Sequence, residues 1–153
     1  MFAPVANYLM SKPLKYQELI TEIATNGQCP FDGCDQKQLA GFRWSFEDTS
    51  IDDIYLPTSL VDRAKNIPRR INSEVDHCKS CGLSLFVSYD AAKKKWNRFP
   101  QRTKEKMGFT HVLQLDITAE IGVSSNSDKD GHFTFFEYAE SVNKEMYQMV
   151  GAL

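Results

Sequence analysis

The sequence lacks any run of the roughly 20 apolar residues that a membrane-spanning helix requires. Its first residues, MFAPVANYLMSKPLK, contain no basic segment followed by a sustained apolar run, so no export signal is expected. There is no excess of positive charge either, since 18 Lys and Arg face 20 Asp and Glu, for a net charge of −2. That balance excludes the global cationic field of non-specific nucleic-acid binders. We therefore expect an intracellular protein, cytoplasmic or nuclear, without membrane contact.

Glycine and proline are also sparse, with 8 and 6 residues in a chain of 153, and there is no internal repeat or low-complexity segment. Apolar residues make up 42% of the chain and aromatic residues 12%, which argues against disorder. A chain of this length can fold around one core. We expect one zinc-binding domain spanning residues 1–153, in which residues 1–13 form a flexible or docking N-terminal segment.

The hydrophobic patterns predict an α+β fold. Apolar residues recur at helical spacing in LKYQELITEIAT, residues 14–25, whereas aromatic and polar residues alternate in LAGFRWSFE, residues 39–47. We expect a mostly antiparallel sheet, stapled by zinc, with an N-terminal and a C-terminal helix packed on it. The predicted elements are helices at 14–25 and 57–66, strands at 39–47 and 83–89, a hairpin partner at 94–99, a strand at 111–117 and a helix from 135 onward.

The four cysteines carry the clearest chemical signal. Cys78 and Cys81 are separated by two residues and followed by Gly82, a short loop in which two thiolates can reach one zinc ion. Cys29 and Cys34 form a looser pair with four residues between them. Thiols persist in a reducing compartment, which favours a metal site. Two disulfides in an exported protein are the alternative.

The segment CKSCG, residues 78–82, resembles the zinc-ribbon class, in which two cysteine knuckles clamp one ion. The resemblance covers residues 29–34 and 78–89, and it departs from the class in the four-residue first spacer and in the 43 residues between the pairs. Such separations also occur in zinc-anchored β folds, in which the metal joins two antiparallel sheets. The resemblance implies a closed four-thiolate site at Cys29, Cys34, Cys78 and Cys81, in which Zn²⁺ is structural.

Catalytic machinery is not recognisable in the sequence. His77, His111 and His132 stand in no motif with a serine or cysteine nucleophile. His77, beside Cys78, could replace a cysteine ligand or donate to a sulfur. The alternative function is therefore a metal-dependent, hydrolase-type enzyme with an open Cys/His metal site and an acid such as Asp76 as proton carrier.

The segment KKKWNRFPQRTKEK, residues 93–106, contains seven cations, one acid and two aromatic residues. Cations neutralise phosphates and exposed rings stack on bases, so this composition suits RNA or single-stranded nucleic acid, or an acidic protein. The alternative is a solvated loop whose rings point into the core. We predict a non-catalytic binding module that docks on a protein or nucleoprotein assembly. The predicted contact residues are Lys93, Lys94, Lys95, Trp96, Arg98, Arg102 and Lys104.

Residues 126–137, NSDKDGHFTFFE, resemble the calcium-binding loop of EF-hands, with oxygen ligands at the first, third, fifth and twelfth places and glycine at the sixth. The resemblance implies Asn126, Asp128, Asp130 and Glu137 as ligands of Ca²⁺. The alternative is an Asp-Gly turn that joins a strand to the last helix, and we favour that turn because the residues are ordinary turn formers.

Overall fold

The structure is a computed structural model that describes residues 12–24, 28–66 and 73–153. The described ranges contain five α-helices and six strands, so the predicted α+β class is confirmed. In chain order the elements are α1 (Gln17–Ile23), β1 (Leu39–Ser45), a 3-10 helix (Asp52–Tyr55), α2 (Thr58–Ala64), α3 (Glu74–Lys79), β2 (Leu83–Phe86), α4 (Tyr89–Asn97), α5 (Gln101–Met107), β3 (His111–Ile117), β4 (Gly122–Ser124), β5 (His132–Glu137), a second 3-10 helix (Lys144–Met146) and β6 (Tyr147–Ala152).

The six strands form one sheet in the order β4-β5-β2-β1-β3-β6, and every neighbouring pair is antiparallel. The longest pairing joins β1 to β3, from Leu39 opposite Ile117 to Ser45 opposite His111. The prediction of an antiparallel sheet is confirmed. No helix in the described ranges combines the length and the apolar character needed to cross a bilayer.

One face of the sheet is covered by an aliphatic and aromatic core. Its fully buried members come from β2, β3 and β5. Gly41 in β1 lies against them, and a Cβ there would stand 2.7 Å from Leu85 Cδ2 and 3.2 Å from Ile117 Cδ1. A larger residue at this position would force the neighbouring side chains to move within a packed core. The buried residues of this core are Leu83, Leu85, Leu115, Ile117, Ile121, Phe133 and Phe135.

The opposite face is covered by helices. Helix α4 packs on β1 and β2 through Ala92 and Trp96, which are four residues apart and both buried. Helices α1 and α3 pack at the other end, where Leu19 and Ile20 of α1 join a cluster that contains the cysteines. The sheet is therefore buried on both faces near its centre.

The predicted C-terminal helix is wrong, because residues 132–137 and 147–152 are the strands β5 and β6. Phe133 and Phe135 face the aliphatic core, and Phe136, on the other side of β5, is buried against α1 and α3. A strand covered on both faces loses its period-2 pattern. The apolar residues of β5 therefore did not show the alternation of a strand, and together with those of the following loop and of β6 they fell at helical spacing.

The predicted hairpin partner at residues 94–99 is also wrong, because residues Tyr89–Asn97 form helix α4. The Ser88 hydroxyl accepts a hydrogen bond from the Ala91 amide at 3.0 Å and caps the helix. The strand predicted at 111–117 is confirmed with the same bounds. The predicted helices at 14–25 and 57–66 and the strands at 39–47 and 83–89 are confirmed in shorter form.

The predicted zinc staple is replaced by a disulfide. The sulfur atoms of Cys29 and Cys78 are bonded, with their Cα atoms 5.4 Å apart. This bond joins the loop after α1 to the end of α3 across a sequence separation of 49 residues. The cysteines do hold distant segments together, but by a covalent cross-link.

Candidate functional site

The cysteine cluster is a disulfide with two thiols beside it. Cys34 and Cys81 are free, and they pack with the Cys29–Cys78 bond against α1 and Phe136. Disulfide sulfurs are not thiolates and do not ligate zinc in the manner of a four-cysteine site. Within the described ranges, no group of three or more His, Cys, Asp or Glu residues could hold a metal. The zinc prediction is wrong.

Both free thiols are expected to be unreactive at neutral pH. Burial raises the pKa of Cys34 to about 11, and burial also raises the pKa of Cys81. Each thiol is therefore protonated at neutral pH and is a poor nucleophile. Disulfides persist in oxidising compartments, so the argument from free thiols to a reducing compartment loses its basis. The alternative predicted two disulfides, and the structure has one of them, with the other two cysteines free.

The alternative of an open Cys/His metal site is contradicted by the same absence of a metal-binding group in the described ranges. His77 lies in α3, where its carbonyl accepts hydrogen bonds from the Ser80 hydroxyl at 2.6 Å and from the Cys81 thiol at 3.4 Å. The backbone amide of its neighbour Asp76 donates a hydrogen bond to the hydroxyl of Ser73, the residue that caps the start of α3. Neither residue belongs to a metal-binding group in the part of the chain that the structure describes.

The four oxygen ligands implied by the EF-hand resemblance have other partners. Asn126 accepts a hydrogen bond from Lys37 at 2.6 Å, and Asp130 forms ion pairs with helix α4. Glu137 is 3% exposed in β5 and lies 3.3 Å from the Lys15 ammonium. It does not begin a helix. The calcium hypothesis is wrong for these residues, and the favoured turn is present with Gly131 at φ +78°.

The basic segment at residues 93–106 forms helices α4 and α5, which we call the basic helix pair. The pair is anchored by its aromatic rings, because the centroids of Trp96 and Phe99 lie 5.4 Å and 5.6 Å from that of Trp44 in β1. The Trp44 indole also donates to the carbonyl of Ala92 at 2.9 Å. With its side chain 6% exposed, Trp96 is part of the core and not a platform for a base.

Two cations of helix α4 and Arg98, the residue after its end, form ion pairs. Lys94 lies 3.0 Å from Asp90, one helical turn away. Lys95 and Arg98 meet Asp130, at 3.3 Å and 2.6 Å. Hydrogen bonds from Arg98 and Lys95 lower the pKa of Asp130, so this carboxylate stays ionised. These contacts attach the helix to the turn before β5.

The other four cations have no ion pair in the described ranges. The Lys93 ammonium lies 5.2 Å from the ring centroid of Tyr89. Arg102, Lys104 and Lys106 belong to α5, a helix that buries none of its residues. Counting Asp90, Glu105 and Asp130 against the seven cations leaves a net charge of +4 around the basic helix pair.

Another group of polar side chains, Ser84, His132 and Asp128, includes two residues on the same face of the sheet as Trp44. The Ser84 hydroxyl in β2 contacts His132 Nε2 in β5, and the Asp128 carboxylate lies 3.9 Å from His132 Nδ1. Sequence reasoning missed this group because Ser84 and His132 are 48 positions apart and share no motif. They become neighbours only through the register in which β2 pairs with β5, and the sequence alone does not reveal that register.

Comparisons with known proteins add no family to this description. The chain matches no protein-family model, no curated protein and no solved structure.

Proposed function

We propose that this chain is a binding module that docks on an acidic segment of a protein partner through the basic helix pair. The observation that carries the proposal is the group of three cations on α5, Arg102, Lys104 and Lys106, which have no ion pair in the described ranges. A net charge of +4 is concentrated on a chain whose total charge is −2. Such a patch attracts carboxylates locally while the rest of the surface repels them.

The fold presents these cations on a rigid support. Gly108, at φ +75°, ends α5 in the left-handed conformation, and its amide bonds the Lys104 carbonyl at 2.8 Å. Arg102 and Lys106 are four residues apart and therefore share one face of the helix. The aromatic anchor around Trp44 and Trp96 fixes the preceding helix on the sheet. A rigid support reduces the entropy that a partner must overcome.

A cavity of about 410 Å³ opens beside the patch. Lys104 and Glu105 of α5 line one side of it, and Phe109 and Leu153 contribute apolar surface. An apolar side chain that flanks the acidic residues of a partner would fit against this surface. Charge at the rim and an apolar anchor at the centre are the usual composition of a protein interface.

A protein partner is favoured over nucleic acid by the burial of the rings. Base stacking requires an exposed aromatic face, whereas Trp96 lies in the core and Phe99 packs against Trp44. The chain also lacks the overall positive charge that draws nucleic acid from a distance. The contact surface therefore consists of the cations of the basic helix pair, and the carboxylates of a protein partner can form ion pairs with them without any aromatic stacking.

The test is fluorescence anisotropy with a labelled polyglutamate peptide at low salt. The variant Lys93→Glu/Arg102→Glu/Lys106→Glu is compared with Lys12→Glu/Lys37→Glu/Lys65→Glu, which changes the net charge equally at residues outside the helix pair. We expect the first variant to weaken binding at least tenfold, about 1.4 kcal/mol or more, and the second to leave it nearly unchanged. Equal binding by both variants would refute the proposal. Tighter binding of a labelled oligouridine at the same salt would replace the acidic protein by nucleic acid.

A further inference from the structure

Three polar side chains meet on the sheet face that carries the aromatic anchor. Strands β2 and β5 are antiparallel, with Ser84 opposite Thr134 and Phe86 opposite His132. Ser84 and His132 are therefore diagonal neighbours on one face, and the hydroxyl contacts the Nε2 atom of the imidazole ring. Contact between a hydroxyl and an imidazole is the first requirement for an activated serine.

The third side chain is held in place by the backbone. One carboxylate oxygen of Asp128 accepts hydrogen bonds from the amides of Asp130 at 2.9 Å and His132 at 3.0 Å. The other oxygen lies 3.9 Å from His132 Nδ1. A carboxylate on this side favours the tautomer with the proton on Nδ1, which leaves the Nε2 lone pair for the serine hydroxyl.

The imidazole environment suits a general base. Burial lowers the pKa of His132, the lysines at 79 and 95 and the Arg43 guanidinium act in the same direction, and Asp128 opposes them. The ring is therefore neutral at pH 7 and can accept a proton. Phe86 packs edge-on against it at 5.4 Å between centroids and limits its rotation. The side chain is still 26% exposed, so a small reagent can reach it.

A cavity with a small excess of positive charge lies beside this group. It has a volume of about 320 Å³, and its lining includes Gly131, the residue before His132. Four cations, Lys94, Lys95, Arg98 and Lys129, and two acids, Asp90 and Asp130, also line it, which leaves a net charge of +2. Lys95 also lies close enough to influence the imidazole. An acyl group that carries its own carboxylate would be drawn to this cavity, which adjoins His132 in the chain through Gly131.

We propose that Ser84 is an acyl-accepting nucleophile, with His132 as its general base and Asp128 as the positioning residue, for small esters with an anionic acyl group. The Ser84 oxygen forms a bond to the ester carbonyl carbon while its proton passes to His132 Nε2. The bond to the leaving alkoxide breaks, and that oxygen takes the proton from the imidazole. Water then attacks the acyl-serine with His132 again as base, which releases the acid and restores the hydroxyl.

The experiment uses the full chain with mono-4-nitrophenyl glutarate, an anionic ester, and 4-nitrophenyl acetate as the neutral comparison. Release of nitrophenol is followed spectroscopically, and peptide mapping by mass spectrometry locates the adduct. We expect a glutaryl group on Ser84 and a faster reaction with the anionic ester. The rate with His132→Gln should fall at least about a hundredfold, the lower end of what a general base contributes.

Two more variants separate positioning from folding. Asp128→Asn should slow acylation and change the pH at which the rate reaches half its maximum, a midpoint that lies below the ordinary histidine value of 6.5 in the wild type. Ser127→Ala, a neighbour in the same turn with an exposed side chain, should leave the rate and its pH profile unchanged. Thermal melts of all variants establish that they are folded.

Two outcomes would overturn the assignment. Wild-type protein that is acylated only on lysines, with no adduct on Ser84, shows that the hydroxyl is not activated. An equal rate in folded His132→Gln shows that the imidazole contact is structural. Failure of the polyglutamate test leaves this result unaffected, because the acylation assay does not use the cations of α5.

Discussion

Removal of the Cys29–Cys78 disulfide should lower the free energy of unfolding by about 4 kcal/mol. The bond closes a loop with a sequence separation of 49 residues. In the chain-entropy model the cost of closing such a loop in the unfolded state is about 14 cal/mol/K, which gives about 4 kcal/mol at 25 °C. For a chain of 153 residues this corresponds to a decrease in melting temperature of about 12 °C.

The assay is a thermal melt by circular dichroism, with and without a reducing agent. The wild type should melt at lower temperature when reduced. Cys29→Ala/Cys78→Ala should melt at one temperature under both conditions, because it has no bond left to reduce. Cys34→Ala/Cys81→Ala is the matched control, and it should keep the full response to the reductant because both of its substitutions lie outside the bonded pair.

The same melts test the correction of the metal prediction. A chelator should leave the wild-type curve where it is, because the cross-link is covalent and no metal-binding group is found in the described ranges. A reducing agent without effect on the wild type, together with a large effect of the chelator, would refute the reasoning. An intact mass two hydrogens below that of the reduced chain would confirm one disulfide independently.

Two further expectations concern the core. Gly41→Ala should lower the free energy of unfolding by about 1–3 kcal/mol, because the new methyl group would meet Leu85 Cδ2 at 2.7 Å in a packed interior; a urea unfolding curve equal to that of the wild type would contradict this. Burial raises the pKa of Glu137 above its ordinary value of 4.5, so the folded protein binds this proton more tightly and its stability should fall as the pH rises from 4.5 through the raised pKa. Glu137→Gln should remove that slope, measured as the unfolding free energy at several pH values.

Strands β1 and β3 could be predicted from the sequence because their side chains alternate. In β1 the rings of Phe42 and Trp44 point away from Gly41, and β3 alternates in the same way, so period 2 was visible in both. Helix α4 was wrongly predicted as a strand because it buries only two residues, Ala92 and Trp96, and three consecutive lysines lie between them. Its cap at Ser88 was the local signal that could have identified it.

The state of the cysteines could not be read from spacing alone. Cys78 and Cys81 have the separation of a zinc knuckle, yet the bond forms between Cys78 and Cys29, from the other pair. Cys81 instead turns toward the His77 carbonyl in the last turn of α3. Which thiols meet is decided by the packing of α1 against α3, and sequence spacing carries no information about that contact.

The Ser84–His132 contact follows from the hydrophobic core. Leu85 lies opposite Phe133 in the pairing of β2 with β5, and these residues are 0% and 1% exposed. A slip of one residue would move both of them to the other face, so their burial fixes the register. That register places Ser84 and His132 side by side on the opposite face, and Phe86, also buried, then limits the rotation of the imidazole ring. The geometry of the proposed nucleophile is therefore determined by apolar residues that take no part in its chemistry.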